Sequence, residues 1–384
     1  MIYLTKELLI HTFSFLGSER QLSLLKQVCK GWNDIHHLSI VNWRGTIKPS
    51  KYQYITYLNC CNMGLTQFII PDGIKMIDCS YNELTELIVP EGCEWINCSC
   101  NNLIELSIPK TCKKIICSQN KFKELIIPKG CEWVDCNYSQ LLTKLSLPEG
   151  CKEVYCTYNN LSELIVPEGC EEIDCSGNQL SELIVPEGCK KIDCSFNKLR
   201  ELSLPKGIKE VRCSANQLTE LIIPEGIKVI RCWENQLIKL NIPEGCEWID
   251  CHNNKLTELF ILKGCKQIKC WANQLSELIV PEGCEEIKCS DNQLSELIVP
   301  EGCKKVDCSF NKLTILIFSN RVKYIDCHNN KLTELNILEG CKILNCYYNN
   351  LIELSVPEGC EVLECHGNPL TNFNIPSGCR YIER

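Results

Sequence analysis

The chain has 384 residues, a formal net charge of -8 with both signs spread along its length, and 33 cysteines. No basic run or face accumulates, which argues against nucleic acid as a partner, and no window approaches 18 consecutive apolar residues, which argues against a membrane span. The first residues lack the long apolar stretch of a secretory signal, so we expect a soluble cytoplasmic protein with reduced cysteines.

Residues 1–46 differ in pattern from the rest of the chain and predict short helices. Gly17 is placed to end a first helix, and Ser18 with Gln21 forms a capping box that begins a second,. A third helix near Trp32–Leu38 would complete a core too small to be comfortably stable alone. The large apolar residues of this segment fall at helical spacing and are Leu4, Leu8, Leu9, Phe13, Leu16, Val28 and Trp32,.

The wording of this segment, LTKELLIHTFSFL at 4–16 and LLKQVCKGW at 24–32, resembles the F-box. It departs from that family at Thr5, where proline is usual, and at Thr12, where an aliphatic residue is common. The resemblance implies a three-helix F-box over residues 1–46 that binds the Skp-type adaptor of a cullin–RING ubiquitin ligase. The seven apolar residues named above would form that contact. The alternative is that they only fill the small helical core.

From residue 47 to residue 384 the chain is periodic. One column of cysteines recurs every 19 residues from Cys60 to Cys365, with a single extra residue around Leu141–Leu142. A second column trails it by 14 residues, from Cys93 to Cys379. A strict short period means that one structural unit is stacked many times.

Each period can be read residue by residue. Apolar and polar residues alternate in 172–176, which predicts a short strand with one buried face,. Asn178 is expected to turn inward and satisfy backbone groups where the strand ends. Leu183 and Val185 continue the core, and Pro186 with Gly188 turns the chain back.

The stretch 170–180 reads C-x-x-I-x-C-x-x-N-x-L and resembles the leucine-rich repeat core L-x-x-L-x-L-x-x-N-x-L, with cysteine at two leucine positions. The resemblance implies a leucine-rich-repeat solenoid of about 17 coils with a parallel concave β-sheet. Nineteen residues is short for such a coil, so we expect no helix on the return side. We expect cysteine to be the filler that avoids overpacking this narrow interior.

Three states of the repeat cysteines are open at this point: buried thiols, disulfides and metal ligands. In-register side chains on adjacent parallel strands point alike rather than toward each other, which disfavours disulfides. No C-x2-C pair and no accompanying histidine column supports a metal site,. We therefore predict buried free thiols, with no metal and no cofactor.

Solvent-facing positions of the predicted sheet carry five of the seven tryptophans. Aromatic and arginine side chains are typical anchors of protein interfaces, although an aromatic ladder also stabilises any sheet. A column of glutamates on the opposite side predicts a solvated face. The densest aromatic and basic neighbourhood is the predicted target-binding site, comprising Arg212, Arg231, Trp233, Trp248, Asp250, His252, Lys269 and Trp271.

No catalytic arrangement is visible, so we expect a non-enzymatic protein. The combined pattern predicts the substrate-recognition subunit of a cullin–RING ubiquitin ligase, which is monomeric outside the complex and binds a target protein through its repeats. The alternative is an interaction scaffold or decoy without ubiquitin transfer, and a third class is a thiol-rich metal or redox buffer. The near-identical repeats after an F-box resemble proteins of giant amoeba-infecting DNA viruses, which would place the protein in the host cytoplasm.

Overall fold

The structure is a computed structural model that describes residues 40–42, 56–319 and 322–381. These residues form β-strands and turns, and they include no helix that could span a bilayer. The predicted helical segment before residue 40, all seven predicted adaptor-binding residues and the predicted boundary at residues 46 and 47 lie outside the described residues.

The chain forms two compact units, Met1–Leu180 and Ser181–Arg384. Within each unit, every coil contributes a strand of two or three residues to one parallel sheet, and neighbouring strands pair in register. In the second unit, for example, Ile249 is paired with Ile230 of the preceding coil and with Ile268 of the following coil. The predicted parallel-sheet coils at a spacing of about 19 residues are confirmed, as is the absence of a return helix within the described residues,.

In the first unit, β6 and β8 pair with each other on the return side of their coils, and the other strands belong to the main sheet. Ile40–Asn42, which lies within the segment predicted as the F-box, pairs in parallel with the first repeat strand. The strands of this unit are β1 (Ile40–Asn42), β2 (Tyr57–Asn59), β3 (Met76–Asp78), β4 (Trp95–Asn97), β5 (Lys114–Ile116), β6 (Glu124–Ile126), β7 (Trp133–Asp135), β8 (Lys144–Ser146), β9 (Glu153–Tyr155) and β10 (Glu172–Asp174).

In the second unit, three short pairs lie on the return side: β14 with β16, β19 with β21, and β24 with β26. The strands are β11 (Lys191–Asp193), β12 (Glu210–Arg212), β13 (Val229–Arg231), β14 (Lys239–Ile242), β15 (Trp248–Asp250), β16 (Glu258–Ile261), β17 (Gln267–Lys269), β18 (Glu286–Lys288), β19 (Glu296–Val299), β20 (Lys305–Asp307), β21 (Ile315–Phe318), β22 (Tyr324–Asp326), β23 (Ile343–Asn345), β24 (Glu353–Leu354), β25 (Val362–Glu364), β26 (Asn372–Phe373) and β27 (Arg380–Tyr381).

The core of each unit is lined by the two cysteine columns together with strand isoleucines and valines and the return-side leucines. Every first-column cysteine is at most 1% exposed, and every second-column cysteine before Cys379 is at most 2% exposed. All described cysteines are free thiols. The predicted inward position of both columns is confirmed, and small side chains at these sites fit because a narrow coil leaves little volume between its two sides.

The asparagine column lies inside the coils and binds the backbone, as predicted. The Asn178 amide nitrogen donates to the carbonyl oxygens of Cys156 at 2.9 Å and Cys175 at 3.0 Å, while its amide oxygen accepts from the Leu161 N–H at 3.0 Å. Each such side chain therefore satisfies backbone groups of two successive coils at the point where the strand ends. This explains why the interior tolerates a polar residue at every turn.

The turns that close each coil use the left-handed backbone region at two places. Gly188, after the return segment, has φ of 87°, where glycine carries no steric penalty. The second place is two residues after the first-column cysteine, where Phe196 has φ of 57°. Most side chains at this second position are exposed at the end of the sheet strand, and six of them are aromatic.

Candidate functional site

The predicted target-binding site lies entirely within the second unit, on the outward face of the main sheet. Strand β15 shows how the sheet positions it: Ile249 is fully buried, so Trp248 and Asp250 on either side point to the opposite face,. Register then places Arg231 and Lys269 on the two sides of Asp250. The fold thus brings residues from three coils onto one surface.

Trp248 lies between two cations. The guanidinium carbon of Arg231 is 4.2 Å from the centre of the Trp248 ring, and the Lys269 ammonium nitrogen is 5.2 Å from it. Each cation comes from a neighbouring coil, so the contacts run diagonally across the sheet. Cation–π contacts of this kind are worth about 0.5–2 kcal/mol each, depending on desolvation.

Two nitrogens of this cluster have no hydrogen-bond partner. The Nε atom of Arg231 and the Nε1 atom of Trp248 are buried and unpaired within the part of the chain that the structure describes. A buried donor without an acceptor costs about 1–3 kcal/mol. A bound group that offered acceptor oxygens here would recover that cost.

The residues that follow the first-column cysteines form a second row, in which three rings stack. Trp233 and His252 stack with centres 5.3 Å apart and planes 9° apart, and His252 and Trp271 stack at 3.7 Å and 10°. Phe196 meets the edge of Trp233 at 5.5 Å. The three stacked rings form a continuous aromatic edge, and their packing against one another restricts rotation of the side chains.

Asp250 links the two rows. Its Oδ1 lies 2.5 Å from Nδ1 of His252, and both side chains are largely buried, 11% and 14% exposed. This contact holds the imidazole ring flat between the two tryptophans. Asp250 therefore acts as a positioning residue of the stack, and its charge also offsets the neighbouring cations.

Arg212 does not join this cluster, because it pairs with the nearby carboxylates of Glu210 and Asp193. Its guanidinium contacts Glu210 at 2.5 and 2.7 Å and lies 3.8 Å from Asp193. Register places Arg212 opposite Arg231 at the edge of the site. Seven of the eight predicted residues therefore make direct side-chain contacts in two groups on adjacent rows, and Arg212 lies beside them in an ion pair of its own.

The sequence analysis missed a second aromatic cluster in this unit. Tyr347 stacks between His328 at 4.3 Å and His366 at 4.6 Å, and Nδ1 of His328 lies 2.5 Å from Oδ1 of Asp326. Tyr348 meets the edge of His366 at 5.2 Å. The signal was present in the sequence, because a column in which serine is the most frequent residue carries large rings at these coils.

The first unit carries a smaller aromatic surface whose polar atoms are paired. Trp133 lies beneath the Lys114 ammonium at 3.9 Å, and its Nε1 donates to Glu153 at 2.8 Å. Tyr155 donates to the same carboxylate at 3.0 Å. Trp133 thus differs from Trp248 in having its hydrogen bond satisfied within the chain.

An exposed apolar row on the return side was also missed. Ile184, Ile222 and Ile279 are 84%, 79% and 76% exposed, respectively. They stand in the middle of Leu-Ile-Val or Leu-Ile-Ile runs, in which the leucines before them are buried. Alternation along the short return segments could have revealed them, because every second residue of an extended segment faces outward.

The interior thiols are held in the protonated state. Burial raises the pKa of the Cys246 thiol to about 11 and that of the Cys270 thiol to about 12. A thiol of this kind supplies almost no thiolate at neutral pH, and thiolate is the species that acts as nucleophile or metal ligand. Within the described residues, no group of three or more histidine, cysteine or acidic side chains converges on a common point.

Comparisons with known proteins define the fold. No family model and no curated protein matches the sequence. The structure is similar to YopM from Yersinia enterocolitica WA-314, with a TM-score of 0.54, 21% identity, and coverage of 80% of this chain and 91% of that chain.

It is similar also to the functional domain of InlJ from Listeria monocytogenes, described as including a cysteine ladder, with a TM-score of 0.53, 21% identity, and coverage of 82% and 71%. A leucine-rich-repeat protein of Leptospira interrogans gives a TM-score of 0.55 at 18% identity, with coverage of 87% and 97%. The repeat units therefore have the leucine-rich-repeat fold.

Proposed function

We propose that this chain is a protein-binding repeat receptor and that it serves as the substrate-recognition subunit of a cullin–RING ubiquitin ligase. In this proposal, the N-terminal segment docks the Skp-type adaptor and the sheet surface around Trp248 binds the target protein. The protein itself carries out no chemistry and acts in the cytoplasm, that of the host cell if the chain is viral.

The observation that supports target binding is the unsatisfied pair of nitrogens on Arg231 and Trp248 beside a rigid aromatic stack. Interface hot spots are rich in tryptophan and arginine and lie where water is excluded on binding. Carboxylate or backbone carbonyl oxygens of a partner would accept hydrogen bonds from the two nitrogens. A target with acidic and apolar groups fits this surface best.

The support for adaptor docking is the F-box resemblance of residues 4–16 and 24–32, whose apolar stripe exceeds what a small helical core needs,. The test is co-purification of the full chain with a Skp-type adaptor, comparing the unmodified protein with a Leu8→Asp/Phe13→Asp variant. We expect the adaptor to bind the unmodified protein and to be lost from the variant. Equal binding by the two proteins, or binding by neither, would contradict docking through this face.

A Trp248→Ala/Trp271→Ala variant is the matched control in that experiment and should bind the adaptor normally. The same variant tests the target surface by cross-linking and mass spectrometry in cells. We expect specific partners to disappear from it but not from a Trp95→Ala variant, which changes a tryptophan on the sheet of the first unit. Adaptor binding without ubiquitin transfer to those partners would favour the decoy alternative.

A further inference from the structure

A stripe of exposed apolar side chains crosses four consecutive coils on the return side of the second unit. Its members are Phe260, Ile279, Ile298 and Ile317, which are 47%, 76%, 56% and 49% exposed. Strand pairing places Ile298 directly opposite Ile317. Soluble proteins rarely leave a contiguous apolar row of this kind uncovered unless it binds something.

At its two middle coils, those of Ile279 and Ile298, the stripe is flanked by acidic side chains on both sides. Glu277 and Glu296 stand two residues before their isoleucines and face the same way, while Glu282 and Glu301 follow across the turn and are also exposed. None of these four glutamates forms an ion pair with any residue in the described ranges.

Elsewhere the same unit does neutralise such charges from a neighbouring coil. Glu285, for example, lies 2.5 Å from Lys304, and Glu247 lies 3.3 Å from Lys266. Glu277, Glu282, Glu296 and Glu301 therefore leave unneutralised negative charge on both sides of Ile279 and Ile298. This arrangement calls for positive charge on both sides of whatever covers the isoleucines.

We infer that this surface, the acidic-bordered isoleucine stripe, binds a basic amphipathic helix of a partner protein. A helix advances 5.4 Å per turn, and successive coils lie about 4.8 Å apart, so one apolar side chain per turn can meet one stripe residue per coil. An extended strand presents alternate side chains about 6.7 Å apart, which fits the coil spacing less well. Lysines or arginines on the two flanks of the helix would meet the two glutamate rows.

The glutamates beside the stripe also disfavour binding of a second copy of this chain, an anionic lipid surface or a nucleic acid. A second copy of this chain would bring like charges together, and anionic lipid surfaces and nucleic acids would be repelled. The stripe lies on the return side of its coils, whereas the surface around Trp248 lies on the main sheet, so the inference does not depend on the proposed function.

The test is fluorescence anisotropy of the full chain with a synthetic helical peptide of about 15 residues that carries leucine once per turn and lysine on both flanks. We expect saturable, salt-sensitive binding. An Ile279→Ser/Ile298→Ser variant should bind at least about tenfold more weakly, since hot-spot truncations commonly cost that much. All substituted side chains are exposed, so circular dichroism and thermal unfolding should stay unchanged.

Two controls sharpen the result. Ile222→Ser changes an equally exposed isoleucine whose neighbours on adjacent coils are Ser203 and Asn241, so it should leave binding unchanged. Trp248→Ala/Trp271→Ala should also leave it unchanged, which separates this surface from the proposed target site. A peptide with glutamate in place of lysine should not bind.

The inference is wrong if the double isoleucine variant binds the lysine peptide as tightly as the unmodified protein, or if Ile222→Ser weakens binding equally, since attraction would then be charge alone. Binding of the glutamate peptide would equally overturn it. Light scattering that shows a dimer abolished by the isoleucine substitutions would make a second copy the occupant, and vesicle binding abolished by them would make it a lipid surface; either result replaces the proposed helix.

Discussion

The guanidinium carbon of Arg231 lies 4.2 Å from the centre of the Trp248 ring on the next coil, and each side chain holds a buried nitrogen that no group in the described part of the chain satisfies. The contact is attractive, and it leaves two hydrogen-bond donors without acceptors. A partner that supplied acceptors to these donors would gain binding free energy that the folded chain alone does not obtain.

The contact between Arg231 and Trp248 should be measurable as a coupling energy. We expect a double-mutant cycle with Arg231→Met and Trp248→Leu to give about 0.5–2 kcal/mol in the free energy of urea unfolding, the range for a partly desolvated cation–π pair. The control cycle pairs Arg212→Met with Trp248→Leu. Because Arg212 is occupied by Glu210, its coupling to Trp248 should stay below about 0.5 kcal/mol, and equal coupling in the two cycles would refute the assignment.

Asn273 should be far more important for stability than its neighbour Gln274. The Asn273 amide donates to the carbonyls of Cys251 and Cys270 at 3.1 Å each and accepts from the Leu256 N–H at 3.0 Å, all in the interior. Asn273→Ala leaves these groups unpaired, so we expect a loss of about 2–4 kcal/mol in the free energy of unfolding.

Gln274 is exposed, and Gln274→Ala should change the free energy of unfolding by less than about 0.5 kcal/mol. Amide hydrogen exchange offers a second readout, since the Leu256 N–H should lose protection only in the Asn273 variant. Comparable protection of that N–H in the Asn273 and Gln274 variants would mean that the side-chain bond contributes little.

The two cysteine columns should respond differently to one and the same substitution. Isoleucine already occupies the second column at Ile208 and Ile227, where both side chains are fully buried, so Cys246→Ile should cost less than about 1 kcal/mol. The first column holds cysteine in every described coil, and Cys251→Ile should overpack it by about 1–3 kcal/mol. Thermal unfolding of the two variants checks the order, which the reverse ranking would disprove.

The raised thiol pKa values predict loss of stability in alkaline solution. The folded protein keeps Cys246 protonated up to about pH 11 and Cys270 up to about pH 12, whereas an unfolded thiol loses its proton near pH 8.5. Above that pH the unfolded state binds fewer protons than the folded state, so the free energy of unfolding is fully retained below about pH 8.5 and falls as the pH rises toward 11.

Circular dichroism under reducing conditions between pH 7 and pH 11 should therefore show a falling urea midpoint. Alkylation by iodoacetamide at pH 8 should be slow at the buried cysteines and fast after addition of denaturant. Rapid alkylation of the native protein at Cys246 or Cys270 would show that these thiols are not sealed inside the coils.

The sequence predicts which residues form the candidate surface but not which of them contact one another. The columns that contain Trp248, His252 and Lys269 follow from the repeat, and the alternation along 172–176 places such columns outside. Trp248 contacts cations of the coils on both sides because of the diagonal distances across the sheet. Arg212 pairs with Glu210 instead, because that carboxylate is near it on the same strand.

The sequence by itself determined the repeating coil, the inward columns of cysteine, asparagine and leucine, and the parallel register, because a fixed period forces each residue type into the same environment in every coil. Only the tertiary structure decided which outward residues of neighbouring coils meet and which remain uncovered. Stacking brings residues that are 17 to 21 positions apart into contact. Alternation along an apolar run such as 278–280 shows that its middle residue faces outward, but not whether a neighbouring coil covers it. The unsatisfied nitrogens at Trp248 and the open row at Ile279 are products of that stacking, since both depend on what the next coil does or does not supply.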